Sequence, residues 1–127
     1  MDFRVARVIP ILRIFDEARA RDFYVGYLGC SVDWEHRFDG QGPVYLQVSR
    51  GSLVLHLSEH HGDGTPGTTV YVGAVGVREL HAELHAKDYP YLNPGLGPSP
   101  GDDKAGTCLT LLDPFGNTLR IDERTTD

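Results

Sequence analysis

Leu112-Asp113-Pro114-Phe115-Gly116-Asn117-Thr118-Leu119-Arg120-Ile121 is a turn that runs directly into an alternating strand. Pro pre-sets one backbone angle, Gly reaches conformations closed to other residues, and Asp and Asn bond their own backbone. The stretch from Asp113 to Asn117 therefore carries the strongest turn chemistry in the chain. Arg50-Gly51 leads in the same manner into Leu53-Val54-Leu55-His56-Leu57, where Leu55-His56-Leu57 matches Leu119-Arg120-Ile121. The match signals an internal repeat of about 60 residues, the mark of one structural unit used twice.

Working outward, each half reads β-α-β-β-β. In the first, Val5 to Ile14 is rich in β-branched residues and predicts a strand with Pro10 near an edge or bulge. Asp16 caps a helix on which Ala18, Ala20, Phe23, Tyr24, Tyr27 and Leu28 recur at helical spacing until Gly29. Strands follow over 31–38, 44–49 and 53–58, the last two joined at Arg50-Gly51. The second half predicts a strand over 68–72, an amphipathic helix carrying Val77, Leu80 and Leu84, and strands over 89–92, 107–112 and 118–121. Two Gly-rich loops interrupt the pattern, Gly62 to Gly67 and Asn93 to Gly106. The expected fold is one α+β domain over 1–127, with repeats at about 1–60 and 68–127 whose curved mixed sheets enclose a ligand cleft.

Composition narrows the function. With 127 residues, 40% of them hydrophobic and 24% charged, the chain has the makeup of one globular domain. No apolar run approaches the ~20 residues of a membrane span, and the charged start Met1-Asp2-Phe3-Arg4 is unlike a signal peptide; a cytoplasmic location is expected. The net charge of -6 and the scattered arginines argue against a nucleic-acid partner and suit a cationic one. Cys30 and Cys108 lack metal-like spacing and read as reduced, small and buried.

Alternation selects the cleft-facing residues. Leu53, Leu55 and Leu57 share the core face, leaving Val54, His56 and Ser58 on the other; Leu119 and Ile121 likewise leave Arg120 facing the cleft. Val44, Leu46 and Val48 take the core side against Tyr45, Gln47 and Ser49. For Val32, Trp34, His36 and Phe38 against Asp33, Glu35 and Arg37 both orientations are open, and we favour Trp34, His36 and Phe38 inward. The cluster His56-Leu57-Ser58-Glu59-His60-His61 lacks the Glu that follows the first His in helical zinc sites, although an extended chain could gather His56, Ser58 and His60. His81 and His85 flank a solvated helix face, no nucleophile elbow occurs, and Gly95-Leu96-Gly97 lacks the context of a dinucleotide loop.

Taken in order, Ile11-Leu12-Arg13-Ile14-Phe15-Asp16, Ala20-Arg21-Asp22-Phe23-Tyr24, Tyr27-Leu28-Gly29-Cys30, Arg50-Gly51 with Leu53 to Leu57, and Leu112 to Asn117 with Leu119-Arg120-Ile121 resemble the vicinal oxygen chelate superfamily. The resemblance is to its glyoxalase/bleomycin resistance group, and more closely to the bleomycin resistance branch. It implies a small homodimer that sequesters a cationic glycopeptide antibiotic without modifying it. Enzymes of the superfamily hold a divalent metal at positions that here correspond to Ile9, His56, Thr69 or Val70, and Arg120, of which His56 alone is a ligand type. No metal and no cofactor is therefore expected. The alternatives are a metal-dependent lyase or dioxygenase whose shifted site uses His56 with His36, His60 or His61, and a binder of an unknown metabolite. The expected ligand-binding residues are Trp34, His36, Phe38, Tyr45, Gln47, His56, Ser58 and Arg120, with no catalytic residue. Members of the branch often carry a Trp-Gly pair shortly before the Asp-Pro turn, where this chain reads Asp102-Asp103-Lys104-Ala105-Gly106.

Overall fold

The computed structural model describes residues 2–99 and 107–124; the region from Asp102 to Gly106 lies outside them. Two four-stranded mixed sheets carry the fold. Sheet A orders β1 (Ile11–Arg13), β4 (Leu53–Ser58), β3 (Val44–Arg50) and β2 (Ser31–Arg37), with β1 parallel to β4 and the other pairs antiparallel. Sheet B repeats this order with β5 (Thr69–Ala74), β8 (Thr118–Glu123), β7 (Cys108–Leu112) and β6 (Leu96–Gly97). The repeat legible in the sequence is thus a repeat of topology and of strand direction.

Each sheet packs a helix on one face. The first is a single turn and a half of α-helix, α1 (Glu17–Arg21), capped by the Asp16 carboxylate accepting from Arg19 N at 3.1 Å, and it continues as a π-helical segment over Asp22–Tyr27. The wider π turn, closed by Leu28 N donating to Phe23 O at 2.8 Å, turns Phe23, Tyr24, Tyr27 and Leu28 all into the core. Ala18, expected on the buried face, is exposed. Gly29 stops the helix at a positive φ of 85°, open to glycine at little cost. The second helix, α2 (Val77–Ala86), buries Val77 and Leu84.

Core residues from both sheets and both helices form one cluster, which includes Leu12, Tyr24, Leu46, Leu57, Leu84, Leu111 and Leu119. The halves are joined on the helix side. Tyr24 donates to the buried Asp113 carboxylate at 2.6 Å, Asn117 Nδ2 donates to Arg13 O at 2.9 Å, and Arg50 forms a two-pronged pair with Glu83. Asp113 also accepts from the backbone N–H groups of Phe115 and Asn117, so the Asp-Pro turn works as a rivet between the repeats as well as a turn.

Three expectations fail locally. The first strand is only Ile11–Arg13, and residues 2–9 lie in no strand, leaving Phe3 and Val8 exposed; the Pro10 carbonyl accepts from His56 N at 3.0 Å but, with no N–H, Pro10 cannot continue the ladder as a donor. Residues 89–92 form no strand: Tyr89 and Leu92 pack against the core instead, and the edge strand is Leu96–Gly97, inside the expected loop. Val32 does not share a face with Trp34. Its register partner is Val48, on the core side, whereas Trp34 pairs with Gln47, because a bulge at Asp33 shifts the register between them. Cys30 and Cys108 are free and buried, as expected.

Candidate functional site

The bulge at Asp33 places an aromatic cluster on the face of sheet A turned away from the helices. Trp34, on β2, stands parallel to Tyr45 of β3, with ring centroids 6.0 Å apart and planes 6° apart. His56, on β4, is edge-on to both, at 5.2 Å from Trp34 and 5.1 Å from Tyr45. The patch continues through His36 to Phe38 at 4.6 Å and from Phe38 to His60 at 4.3 Å. Trp34 is 43% and Phe38 47% exposed, high values for aromatic rings standing on a sheet.

A hydrogen-bond chain fixes these rings. Gln47 Oε1 can only accept, so His56 Nε2 carries the proton and donates to it at 3.0 Å. His56 Nδ1 is then bare and accepts from the Tyr45 hydroxyl at 2.7 Å. Gln47 passes the chain on by donating through Nε2 to Asp33 at 2.9 Å, and Ser49 donates to the same carboxylate at 3.0 Å. Burial, and secondarily the charge of Arg7, hold His56 below the usual histidine range, so it is neutral near pH 7 as the chain requires. Bonds from Gln47 and Ser49 keep Asp33 below the usual carboxylate range, and burial followed by the nearby Asp63 charge pushes the Tyr45 phenol up. The face therefore presents aromatic rings flanked by the carboxylates of Asp33 and Asp63.

Ser58, also expected here, stands on this face opposite Tyr45 but is covered, and Arg120 stands on the other sheet. Ser58 is fully buried; its hydroxyl donates to Asp63 at 2.8 Å and accepts from His60 N at 3.0 Å, anchoring the Gly-rich loop rather than facing a ligand. Within that loop Gly64 has a φ of 72° and its Cα approaches Ile11 O so closely that a Cβ would lie 3.0 Å from it. Arg120 occupies the position on β8 equivalent to His56 on β4, but on the other sheet. His56 pairs with Ile11 and Gln47, while Arg120 pairs with Tyr71 and Thr110. Among the described residues no hydrogen bond, ion pair or ring contact joins the outer face of sheet A to that of sheet B.

The superfamily's metal does not fit these residues. In register the first-strand neighbours of His56 and Arg120 are Ile11 and Tyr71 rather than Ile9 and Thr69 or Val70; Ile11 offers no donor atom, and the Arg120 cation beside Tyr71 repels a metal ion. The Phe38 ring separates His36 from His60, and among the described residues no three His, Cys, Asp or Glu side chains gather as a metal site needs. Sequence reasoning also missed a hollow of about 920 Å³ on the helix side between α1 and residues 89–92 and 112–114. It contains none of the expected site residues.

Comparison with known proteins gives the family and matches the fold. The family model described as "Glyoxalase superfamily protein" matches residues 1–127. The chain belongs to the glyoxalase superfamily. Among solved structures it is similar to a bleomycin-binding protein complexed with bleomycin, at 19% identity and a TM-score of 0.68, covering 94% of this chain and 99% of that one. The bleomycin-binding protein of Streptomyces verticillus, complexed with copper(II)-bleomycin, is 25% identical with a TM-score of 0.65, over 97% and 99% of the two chains. TnmS3, an antibiotic-binding protein from a Streptomyces species, is 19% identical with a TM-score of 0.67, over 97% and 100%. No curated protein matches. Among the described residues no helix of this superfamily member is long and apolar enough to cross a membrane.

Proposed function

We propose that this protein is a small-molecule binder of the bleomycin-resistance type, which captures a planar aromatic cation on the outer face of sheet A and leaves its bonds intact. The observation that carries this reading is the parallel pair Trp34 and Tyr45, set by the edge-on His56 and flanked by ionised Asp33 and by Asp63. Parallel rings offer one orientation to a planar guest, and a cation over such a face gains ~0.5–2 kcal/mol. His36 and Phe38 extend the apolar contact, and Gln47 and His56 hold the ring geometry. The similarity to bleomycin-binding and antibiotic-binding proteins supports the ligand class.

The second wall comes from a second copy. In a homodimer with sheet A of one chain facing sheet B of the other, Arg120 would join the aromatic face across the cleft. The exposure of Trp34 and Phe38 supports this arrangement.

The test is isothermal titration of purified protein, treated with EDTA, with bleomycin, alongside elemental analysis and light scattering of the same sample. Saturable binding at one ligand per chain, lost in Trp34→Ala, is the expected result. Absence of binding together with a stoichiometric transition metal would overturn it in favour of an enzyme. Absence of both would point to a different metabolite.

A further inference from the structure

The outer face of sheet B holds a guanidinium that has no partner among the described residues. Arg21, Arg37 and Arg50 are paired with carboxylates, Arg19 stands 3.9 Å from Asp16, and Arg13, Arg78 and Arg124 bond or stack on neighbouring groups. Of the described arginines after Pro10, Arg120 stands apart: among the described residues it finds no hydrogen-bond acceptor or ion-pair partner, yet it is half-buried. A guanidinium carries five donors in a planar fork, and withdrawing one from water without an acceptor is costly. Its neighbour on the same face, Asp122, is buried and makes no ion pair with it: the Tyr71 hydroxyl donates to Asp122 Oδ2, Arg124 reaches the same hydroxyl at 3.3 Å, and Asp122 Oδ1 has no hydrogen-bond partner among the described residues.

Arg120 instead faces space. It lines a hollow of about 540 Å³ together with Gly95, Gly97, Pro98, Cys108 and Thr110. The glycines keep the rim low, and a Cβ added at Gly95 or Gly97 would meet nothing within 4 Å. Burial raises the Cys108 thiol above its usual range, so this sulfur stays protonated and brings no negative charge of its own.

We propose that this hollow is an oxyanion site, in which the Arg120 fork takes the carboxylate or phosphate group of a small organic ligand. The fork matches the paired oxygens of either group, and the glycine-lined rim lets the anion approach without displacing a side chain. The site belongs to sheet B alone and goes beyond the reading of the aromatic face, which can fail without it. If both sites serve one ligand in a dimer, that ligand is cationic at its aromatic end and anionic at the other.

The experiment follows the Arg120 Nε–H resonance in the full-length, isotopically labelled chain during separate titrations with sodium benzoate and sodium phosphate, with sodium chloride holding ionic strength constant. The expected result is a saturable shift, half-complete at or below roughly 50 mM, with at least one of the two anions and none with chloride. Response to benzoate alone identifies a carboxylate site, to phosphate alone a phosphate site, and to both a general oxyanion site. Gly97→Leu, whose side chain enters open space, should abolish the shift while Arg120 remains; Arg124→Gln should leave it intact. Should Gly97→Leu unfold, Arg120→Gln measured by calorimetry with the responding anion takes its place and should lose binding. A linear drift shared with chloride, or a shift unchanged in the variant that fills the hollow, overturns the proposal. Repeating the titration in Trp34→Ala keeps this result separate from bleomycin binding, since the anion shift should persist there.

Discussion

The two sheets share a topology but differ in the chemistry of their outer faces. His56 and Arg120 sit at equivalent positions, each beside the first strand and the third strand of its repeat. Around His56 stand Trp34, Tyr45 and Gln47; around Arg120 stand Gly97, Cys108 and Thr110. The core faces remain alike, with Leu55 and Leu57 buried in one repeat and Leu119 and Ile121 in the other. A duplicated fold thus constrains the buried side, where volume must be filled, and leaves the outer side free to diverge. One repeat supplies aromatic surface and the other a cationic hollow.

The same contrast appears at the turns before the last strands, and breaking it has the largest expected effect. Asp113 is buried and accepts from Tyr24 and from two backbone N–H groups, so Asp113→Ala strands several buried donors and should cost about 3 kcal/mol or more in urea unfolding. Ser52, in the exposed turn of the first repeat, bears no such load, and Ser52→Ala should stay within about 0.5 kcal/mol. Next in size, Trp34→Ala should weaken bleomycin binding by about tenfold or more in calorimetry, while Tyr71→Ala on sheet B should change it by less than about threefold. Equal effects would erase the distinction between the faces.

A smaller effect is a pH dependence confined to sheet A. Because His56 is held below the usual histidine range, the unfolded chain takes up its proton first as pH falls; stability from this group is complete above that range and declines as pH drops through it toward the folded value. Protonated His56 also cannot accept from Tyr45. The denaturation midpoint should therefore fall between pH 7 and 5 by more in the native protein than in His56→Gln. The smallest effect is expected on the helix side, where Glu17 pairs with Arg21 and Arg37 at a partly exposed site: Glu17→Gln should cost no more than about 1 kcal/mol and leave ligand binding unchanged.

Much of this was legible before the fold was seen. The turn at Asp113, the alternation in β3, β4 and β8, and the capped helix after Asp16 are local signals, and each appears in place. Trp34, His36, Tyr45, Gln47 and His56 share one face as expected. Ser58 lies on the outer face as alternation predicts, but alternation does not say what covers a residue, and here the loop carrying Asp63 folds over it. The placement of 89–92 and of Leu96–Gly97 was not readable, since Tyr89 exchanges strand pairing for packing on Tyr27, a contact distant in sequence.

The sequence by itself determined the repeat, the order of elements and the buried stripes, because turn chemistry and side-chain period act over a few residues at a time. The tertiary structure decided how the outer faces are furnished. The bulge at Asp33, the hydrogen-bond chain from Tyr45 to Asp33 and the hollow beside Arg120 all depend on which strands become neighbours, and neighbouring strands in this fold are drawn from distant parts of the chain. Whether a polar or aromatic side chain finds a partner is settled only when those strands meet.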